Sequence, residues 1–295
     1  MKQIYDICVV GAGASGMAAA LEAGLERAGL RVLLLEKNVE PGRKLRATGS
    51  GRCNITNEAA PGAPEVQAFL RRWGILTRVY PESGLVYPHS ESAADVAELL
   101  AARAAEQGVE FRGSFAVTGI GPVSEPGFSG YLVRGSAGGR ETSVRARRVI
   151  LACGGKAGPS YGTTGDGYRL ASALGHRIVM PIPVLTSVEC AEDGCEPLKG
   201  TRSRGVVTLL RNGEEIFREA GEVQFTWYGL SGICVFNMTR FMRYSRATGL
   251  GIFEVRVDLC PEEKIEGFLL EQRARAAERS GGRSAASGSG GPDPA

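Results

Sequence analysis

The chain is short of the side chains that histidine-based metal centres and hydrolytic triads require. Its 295 residues include two histidines, His89 and His176, so neither kind of site is well supplied. No apolar run approaches the ~18 residues that span a bilayer, and the apolar core of the N-terminus is too short for a secretory signal. We therefore expect no metal site and no membrane segment.

The balance of charge bears on a nucleic-acid partner, and the cysteine content bears on the redox compartment. Lys and Arg number 35 and Asp and Glu 32, which gives a formal net charge of +3 and no extended basic field. This balance offers no support for a nucleic-acid partner. The seven cysteines are an odd number in a long chain and include no C-x-x-C pair, which favours mostly buried thiols in a reducing cytoplasm.

Glycine is the residue type present in excess. The chain has 42 glycines, about twice the average fraction in proteins. They cluster at turns, where the backbone must approach a ligand or another segment closely. With 43% hydrophobic and 23% charged residues, the composition is otherwise that of a folded protein.

The first part of the chain has the pattern of a βαβ unit. Residues 4–10 are an apolar run that ends at Gly11, which predicts a strand. Residues 14–28 carry apolar side chains on one helical face, and Gly29 is a plausible stop. Residues 31–35 are a second continuous apolar run, which predicts a strand buried on both faces.

The turn between the first strand and the helix matches the dinucleotide fingerprint G-x-G-x-x-G, and an acidic residue ends the second strand about twenty residues further on. The first glycine permits the tight turn, the second lets the backbone reach a pyrophosphate, and the third lets helix and strands pack closely. The helix start favours phosphate, and the acid can bind ribose hydroxyls while repelling a 2′-phosphate, which argues against NADP. The candidate site residues are Gly11, Gly13, Ala14, Ser15, Gly16, Glu36 and the adjoining Lys37.

The rest of the chain favours FAD over NAD at this site. No second fingerprint with strand and helix flanks occurs. A single nucleotide site favours a tightly retained prosthetic group over one of two exchanging nucleotides. Residues 41–57 are polar, glycine-rich and basic, which predicts a loop suited to a long anionic ligand. A solvated basic loop is the alternative interpretation.

Several stretches resemble one family of flavoproteins. They are GAGASGMAAA, GRKLRATGSGRCNITN, GLVYPHSESAADV, the segment from RRVILACGG to SALGH, and GEVQFTWYGLSG. Together they are similar to the BaiN-like or aminoacetone-oxidase-like bacterial FAD-dependent oxidoreductases, which are two-dinucleotide-binding-domain flavoproteins. The resemblance covers most of residues 4–245 and implies FAD bound at the fingerprint.

The resemblance also implies further cofactor contacts. Val117 would contact the adenine through its backbone, and Ala152, Gly154 and Gly155 would form a second turn against FAD. The remaining residues implied near the flavin side are Lys44, Gly51, Arg52, Cys53, Asn54, Gly165 and Asp166.

These patterns predict an α/β fold class with two domains. Residues 1–178 are expected to form a Rossmann-like FAD-binding domain with a parallel sheet, and residues 179–278 a mostly β domain. The resemblance implies that this second domain is an inserted substrate domain, here incomplete. Residues 279–295 are low in complexity and predicted to be disordered. Because the family-like sequence fades near residue 270, we expect a C-terminally truncated member of the resembled family. A functional short form that needs a partner is the alternative.

The leading functional hypothesis is an FAD-dependent oxidoreductase that moves a hydride between the flavin and a small organic substrate, with NAD(P)H as the expected donor. The alternative is a truncated, catalytically inactive nucleotide-binding remnant. An RNA-modifying flavoprotein is disfavoured by the balanced charge. No catalytic residue is assigned, although His89, Tyr87, Lys44 and Arg52 are available polar groups.

Overall fold

The computed structural model describes residues 3–26, 29–191, 193–242, 252–262 and 265–285. The chain divides into two compact units, Met1–Val179 and Met180–Ala295. This division falls beside the boundary expected after residue 178, while the roles expected for the two domains stay predictions. Within the described ranges, no helix is long and apolar enough to cross a membrane.

The first unit is built on a six-stranded sheet. In chain order its elements are β1 (Ile4–Val10), α1 (Ala14–Glu26), β2 (Val32–Leu35), β3 (Thr56–Asn57), α2 (Ala63–Arg72), β4 (Thr77–Tyr80), β5 (Leu85–Pro88), α3 (Ala93–Glu106), β6 (Glu110–Arg112), β7 (Phe115–Glu125), β8 (Phe128–Ala137), β9 (Arg140–Leu151) and α4 (Asp166–Ala173). The sheet order is β6-β2-β1-β9-β8-β7, and β3, β5 and β4 form a separate small sheet. Strands β6, β2, β1 and β9 are parallel, whereas β8 and β7 join antiparallel. The parallel part confirms the predicted Rossmann-like α/β class.

Both faces of the central strands are buried, as their continuous apolar sequence predicts. On β1, Val9 belongs to a core that includes Leu21 of α1 and residues of α3. Its neighbours Cys8 and Val10 belong to a second core on the other face, which includes Leu170 of α4. The ends of β1 and β2 are therefore held between two packed layers.

The segment between β2 and α3 is more regular than the sequence pattern indicates. Residues 41–57, predicted as a loop, contain a 3-10 turn at Leu45–Gly51 and end in β3. Helix α2 and the hairpin of β4 and β5 follow, and α2 buries Leu70 in the same core as α1. The helix predicted for residues 14–28 is seen to Glu26, and residues 27–28 lie outside the described residues.

The second unit is built on a five-stranded antiparallel sheet. Its elements are β10 (Val188–Glu189), β11 (Arg202–Arg211), β12 (Glu214–Phe225), β13 (Gly229–Ser231), α5 (Ile233–Thr239), β14 (Phe253–Asp258) and α6 (Ile265–Ala285). The strand order is β10-β13-β12-β11-β14. Val235 and Met238 of α5 pack in one core with Val207 and Val223 of the sheet. The additional, mostly β unit is therefore present.

The end of the chain differs in part from the sequence-based expectation. Residues 279–295 are predicted to be disordered, but α6 continues to Ala285. Residues 279–285 include two adjacent glycines, which disfavour a helix, so helix propensity does not explain this continuation. Residues 286–295 lie outside the described residues, so their disorder stays a prediction.

Candidate functional site

The parallel pairing of β1 and β2 brings Glu36 to the turn before α1. Because the two strands end side by side, the acid after β2 reaches the turn after β1. Oε2 of Glu36 accepts a hydrogen bond from the backbone N–H of Ala12 at 2.8 Å. Its Oε1 accepts two more, from the backbone N–H of Asn38 at 2.9 Å and from Asn38 Nδ2 at 2.7 Å. The carboxylate is thus fixed where the ribose of a dinucleotide on this turn belongs.

The three fingerprint glycines differ in what a side chain would meet. At Gly11, where φ is +105°, a Cβ would lie 2.5 Å from the carbonyl oxygen of Ala152. At Gly16 a Cβ would lie 1.8 Å from the carbonyl oxygen of Gly11. At Gly13 it would meet nothing within 4 Å, because this residue borders an open cleft. Two glycines therefore serve close packing and one leaves the cleft bare, which fits a bound pyrophosphate.

The fingerprint turn opens into a cleft of about 610 Å³ within the first unit. This volume lies in the range of small-molecule and cofactor sites. The cleft lies at the carboxyl ends of β1, β2 and β9, where dinucleotides bind in folds of this type. The predicted site residues that line it are Gly11, Gly13, Ala14, Ser15, Glu36, Lys37, Lys44, Val117, Ala152, Gly154 and Asp166.

The other predicted site residues are not among those that line the cleft. They are Gly16, Gly51, Arg52, Cys53, Asn54, Gly155 and Gly165. Gly165 is the N-cap of α4, with φ +85°. Cys53 is 2% exposed, and burial raises the pKa of its thiol. The contacts predicted between these residues and the cofactor stay predictions.

Arg52 belongs to a side-chain cluster on the small sheet. Its Nε donates to Glu91 Oε2 at 2.9 Å, and its Nη2 donates to the Tyr80 hydroxyl at 3.0 Å. Its guanidinium carbon lies 4.7 Å from the centroid of the Tyr87 ring. The Tyr80 hydroxyl donates to Glu91, and this hydrogen bond lowers the pKa of Glu91 and raises the pKa of Tyr80. The cluster therefore fastens the loop before β3 to the residues that precede α3.

Two lysines line the cleft in different electrostatic surroundings. Lys37 Nζ lies 2.7 Å from Asp166 Oδ2 and 3.1 Å from Thr164 Oγ1. The hydrogen bond from Lys37 holds the pKa of Asp166 below its usual value. Lys44 is exposed, and within the described part of the chain it pairs with no carboxylate. Its charge is therefore available to an anion in the cleft.

Sequence reasoning missed several residues that line the cleft, among them Asn38, Cys153 and Arg169. Asn38 orients Glu36, but the fingerprint pattern stops at the acid and gives no signal for it. Cys153 lies within the predicted turn after β9, and burial raises the pKa of its thiol. Arg169 donates to the carbonyl oxygen of Thr118 at 2.7 Å. That contact joins distant parts of the chain, which no local pattern reveals.

Of the polar groups considered for acid–base chemistry, Lys44 lines the cleft and Arg52, Tyr87 and His89 do not. His89 and His176 are exposed. The described residues contain no group of three or more His, Cys, Asp or Glu placed to hold a metal ion. The geometry therefore assigns no catalytic residue.

Comparison with protein families identifies the nucleotide-binding region. Residues 5–67 match the family model described as the HI0933-like protein Rossmann domain. The matched segment includes β1, the fingerprint turn, α1 and β2 with Glu36. FAD is the cofactor that this match and the site geometry together support.

Curated relatives of the chain include a reductase. The chain is 34% identical over 275 residues to the 3-dehydro-bile acid delta(4,6)-reductase of Clostridium scindens, a stretch that covers 87% of this chain and 64% of the reductase. It is 29% identical over 291 residues to the ribosomal RNA dihydrouridine synthase of Escherichia coli, covering 91% of this chain and 67% of the synthase. The chain thus spans about two thirds of the length of these relatives. The predicted resemblance to BaiN-like oxidoreductases is confirmed.

Solved structures resemble the chain at a distance. The 3-ketosteroid-delta4-(5alpha)-dehydrogenase from Rhodococcus jostii RHA1 gives a TM-score of 0.36 at 20% identity, over 51% of this chain and 46% of that one. Thermovibrio ammonificans THI4 gives 0.40 at 17% identity, over 49% of this chain and 55% of that one. Likeness at this level carries no conclusion about function, and the fold assignment rests on the strand order.

Proposed function

We propose that the chain is an FAD-dependent oxidoreductase that moves a hydride between the flavin and a small organic substrate, with NAD(P)H as the electron donor. One observation carries the proposal: the Glu36 carboxylate lies 2.8 Å from the backbone nitrogen of Ala12, at the border of the cleft. An acid in this position selects a ribose with free hydroxyl groups. The reductase among the relatives supports the oxidoreductase class.

Different residues of the cleft bind different parts of FAD. Gly13 leaves room for the pyrophosphate, and the start of α1 offers N–H groups and the positive end of the helix dipole. Glu36 accepts hydrogen bonds from the ribose, and Lys44 faces an anionic part of cofactor or substrate. Bound FAD supplies the redox chemistry, and the protein contributes binding, orientation and electrostatics.

For the substrate we propose a cyclic, largely apolar organic acid. The support is the relative named 3-dehydro-bile acid delta(4,6)-reductase, to which the chain is 34% identical. Binding of FAD by residues 1–178 and of substrate by residues 179–278 is part of the same proposal.

Flavin retention and reduction test the proposal. Purified protein incubated with FAD and then desalted should keep the yellow flavin absorbance. Anaerobic NADH or NADPH should bleach that absorbance, and a 3-dehydro-Δ4,6 bile acid should restore it. Protein that retains no flavin, even after refolding with FAD, would refute the proposal. Retention without bleaching by either nicotinamide would instead favour the inactive nucleotide-binding remnant.

Ribosomal RNA is a second candidate substrate, and a specific match favours it. The dihydrouridine synthase of Escherichia coli aligns with 91% of this chain. Against it stands the formal net charge of +3, which provides no broad basic surface. Incubation of unmodified ribosomal RNA with the protein, FAD and NADPH, followed by mass spectrometry of nucleosides, decides the question. If dihydrouridine forms, the substrate is RNA and not a small organic acid.

A further inference from the structure

Asn38 lies where three segments of the cleft wall meet. Its Nδ2 donates to Glu36 Oε1 at 2.7 Å, and its backbone N–H donates to the same oxygen at 2.9 Å. Its Oδ1 accepts a hydrogen bond from Arg43 Nη1 at 3.1 Å. A Cβ added to Gly162 would lie 3.1 Å from Asn38 Nδ2, so the loop before α4 packs against the amide. The amide thus orients the acid and is itself oriented by its neighbours.

We propose that Asn38 is a positioning residue that fixes the Glu36 carboxylate for the ribose of the cofactor. The inference rests on the proposed binding of FAD. Oε2 of Glu36 is held by the N–H of Ala12, and Oε1 is held by the two donors of Asn38. Hydrogen bonds to a charged acceptor are strong, and a side chain ordered before binding loses less freedom when the ligand arrives.

The two ends of the Asn38 side chain explain why an amide suits the position. Glu36 requires a donor at Oε1, whereas Arg43 requires an acceptor, and an amide offers both. An aspartate has nearly the same shape and keeps the acceptor for Arg43. In aspartate, however, a carboxylate oxygen takes the place of the Nδ2 donor, which puts a second carboxylate in contact with Glu36.

The titratable and charged groups around this pair come from several elements. Arg43 follows β2 and donates to Asn38. Lys37 lies between the two residues in sequence, but its amine lies 2.7 Å from Asp166 of α4. The Cys153 thiol after β9 is close enough for the charge of Glu36 to contribute to the rise in its pKa, which burial dominates. Arg43 therefore offsets part of any negative charge introduced at Asn38.

The variant Asn38→Asp gives the test, with the dissociation constant of FAD measured by quenching of flavin fluorescence across a pH series. At about pH 8 we expect roughly 30-fold weaker binding, because two adjacent carboxylates repel each other and Glu36 turns away. At about pH 5.5 we expect recovery to within about fivefold of wild type, because one carboxyl is then protonated and donates to the other. Asn38→Ala should weaken binding about tenfold at both values, because it removes a donor without adding a charge.

Asn237 provides a matched control. Its Nδ2 donates to Glu219 Oε1 at 2.9 Å and to Oε2 at 3.1 Å, in the second unit. Asn237→Asp creates the same contact between like charges in the unit that contributes no described residue to the lining of the cleft. It should leave FAD affinity and its pH profile unchanged. Circular dichroism confirms that each variant is folded.

The outcomes separate this inference from the function on which it rests. Wild-type protein that binds no FAD refutes the proposed function and the inference with it. If the wild type binds FAD and Asn38→Asp binds equally well at every pH, only the positioning role is refuted. An affinity loss in Asn38→Asp that is the same at both pH values also refutes it, since a general structural defect has no reason to recover in acid.

Discussion

At the residue scale, Gly13 and Gly16 lie in one turn, but the absence of a Cβ has a different consequence at each position. A Cβ at Gly16 would overlap the carbonyl oxygen of Gly11 at 1.8 Å, whereas a Cβ at Gly13 meets nothing within 4 Å. Gly13 does not have the positive φ of Gly11, so its backbone accepts an L-residue. A substitution at Gly16 should therefore lower stability, whereas a substitution at Gly13 should weaken ligand binding.

We predict that Gly13→Ala leaves the free energy of unfolding unchanged, or raises it by up to about 1 kcal/mol, because the unfolded chain loses freedom. The same variant should weaken FAD binding about tenfold, because the methyl group occupies space for the pyrophosphate. Gly16→Ala should lower the free energy of unfolding by about 3 kcal/mol, because α1 must move away from β1. Urea denaturation and flavin fluorescence measure the two quantities.

Gly194 is the control for the glycine variants, because a Cβ there also meets nothing within 4 Å and the residue lies in the second unit. Gly194→Ala should change the free energy of unfolding as little as Gly13→Ala does, by between 0 and about 1 kcal/mol, and it should leave FAD affinity unchanged. A Gly13→Ala protein as unstable as Gly16→Ala would show that the first turn needs both glycines for packing.

The sequence predicts individual residues well only where their spacing along the chain is short and fixed. Gly11, Gly13 and Glu36 could be assigned from the fingerprint because one βαβ unit holds them in register. Asn38 and Arg169 could not, because their roles depend on side-chain rotamers and on contacts with β7 that no local pattern encodes.

At the element scale, the ion pair of Lys37 and Asp166 connects the end of β2 with the first turn of α4. Their side chains are 33% and 38% exposed, so solvent screens the pair. The sequence predicts each of the two residues near the cofactor, but it gives no signal for the contact between them. The acid also lies near the positive end of the α4 dipole.

We predict that Asp166→Asn lowers the free energy of unfolding by about 0.5 kcal/mol at about pH 7, a value typical of exposed pairs. Because the folded pKa of Asp166 is below its unfolded value, its contribution is present above the unfolded pKa and is lost as pH falls through the folded one. Wild type and variant should therefore converge in strong acid. Urea denaturation at several pH values measures the difference.

Glu254→Gln is the comparison for the ion pair, because Glu254 pairs with Arg256 at 2.6 Å with both side chains more than half exposed. It should have a smaller effect at neutral pH than Asp166→Asn. A difference between Asp166→Asn and wild type that persists unchanged in strong acid would show that the ion pair is not its cause.

Elements with a strong apolar pattern could be predicted, and short or polar ones could not. β1, α1 and β2 are continuous or periodic in apolar residues, so their positions follow from the sequence. Helix α2 buries only Ala63 and Leu70 of its ten residues, and β4 and β5 are four residues each. These elements are stabilised by tertiary packing, and the packing is not visible in a short window of sequence.

At the scale of the whole molecule, the change in composition near residue 178 predicts two parts, and the chain divides beside that point. Among the described residues, those that line the cleft run from Val10 to Leu170 and all belong to the first unit. The second unit has its own sheet and its own core. Cofactor binding should therefore be measurable on the first unit alone.

We predict that a fragment of residues 1–179 binds FAD with a dissociation constant within about threefold of that of the full chain, since it contains every described residue of the cleft. Flavin fluorescence measures the affinity, and a cooperative urea transition establishes that the fragment is folded. Gly13→Ala placed in the fragment should weaken binding by the same factor as in the full chain, which ties the signal to the fingerprint turn. A folded fragment that binds FAD more than about tenfold more weakly would mean that residues beyond 179 contribute to the cofactor site, and the assignment of FAD to the first unit alone would then be wrong.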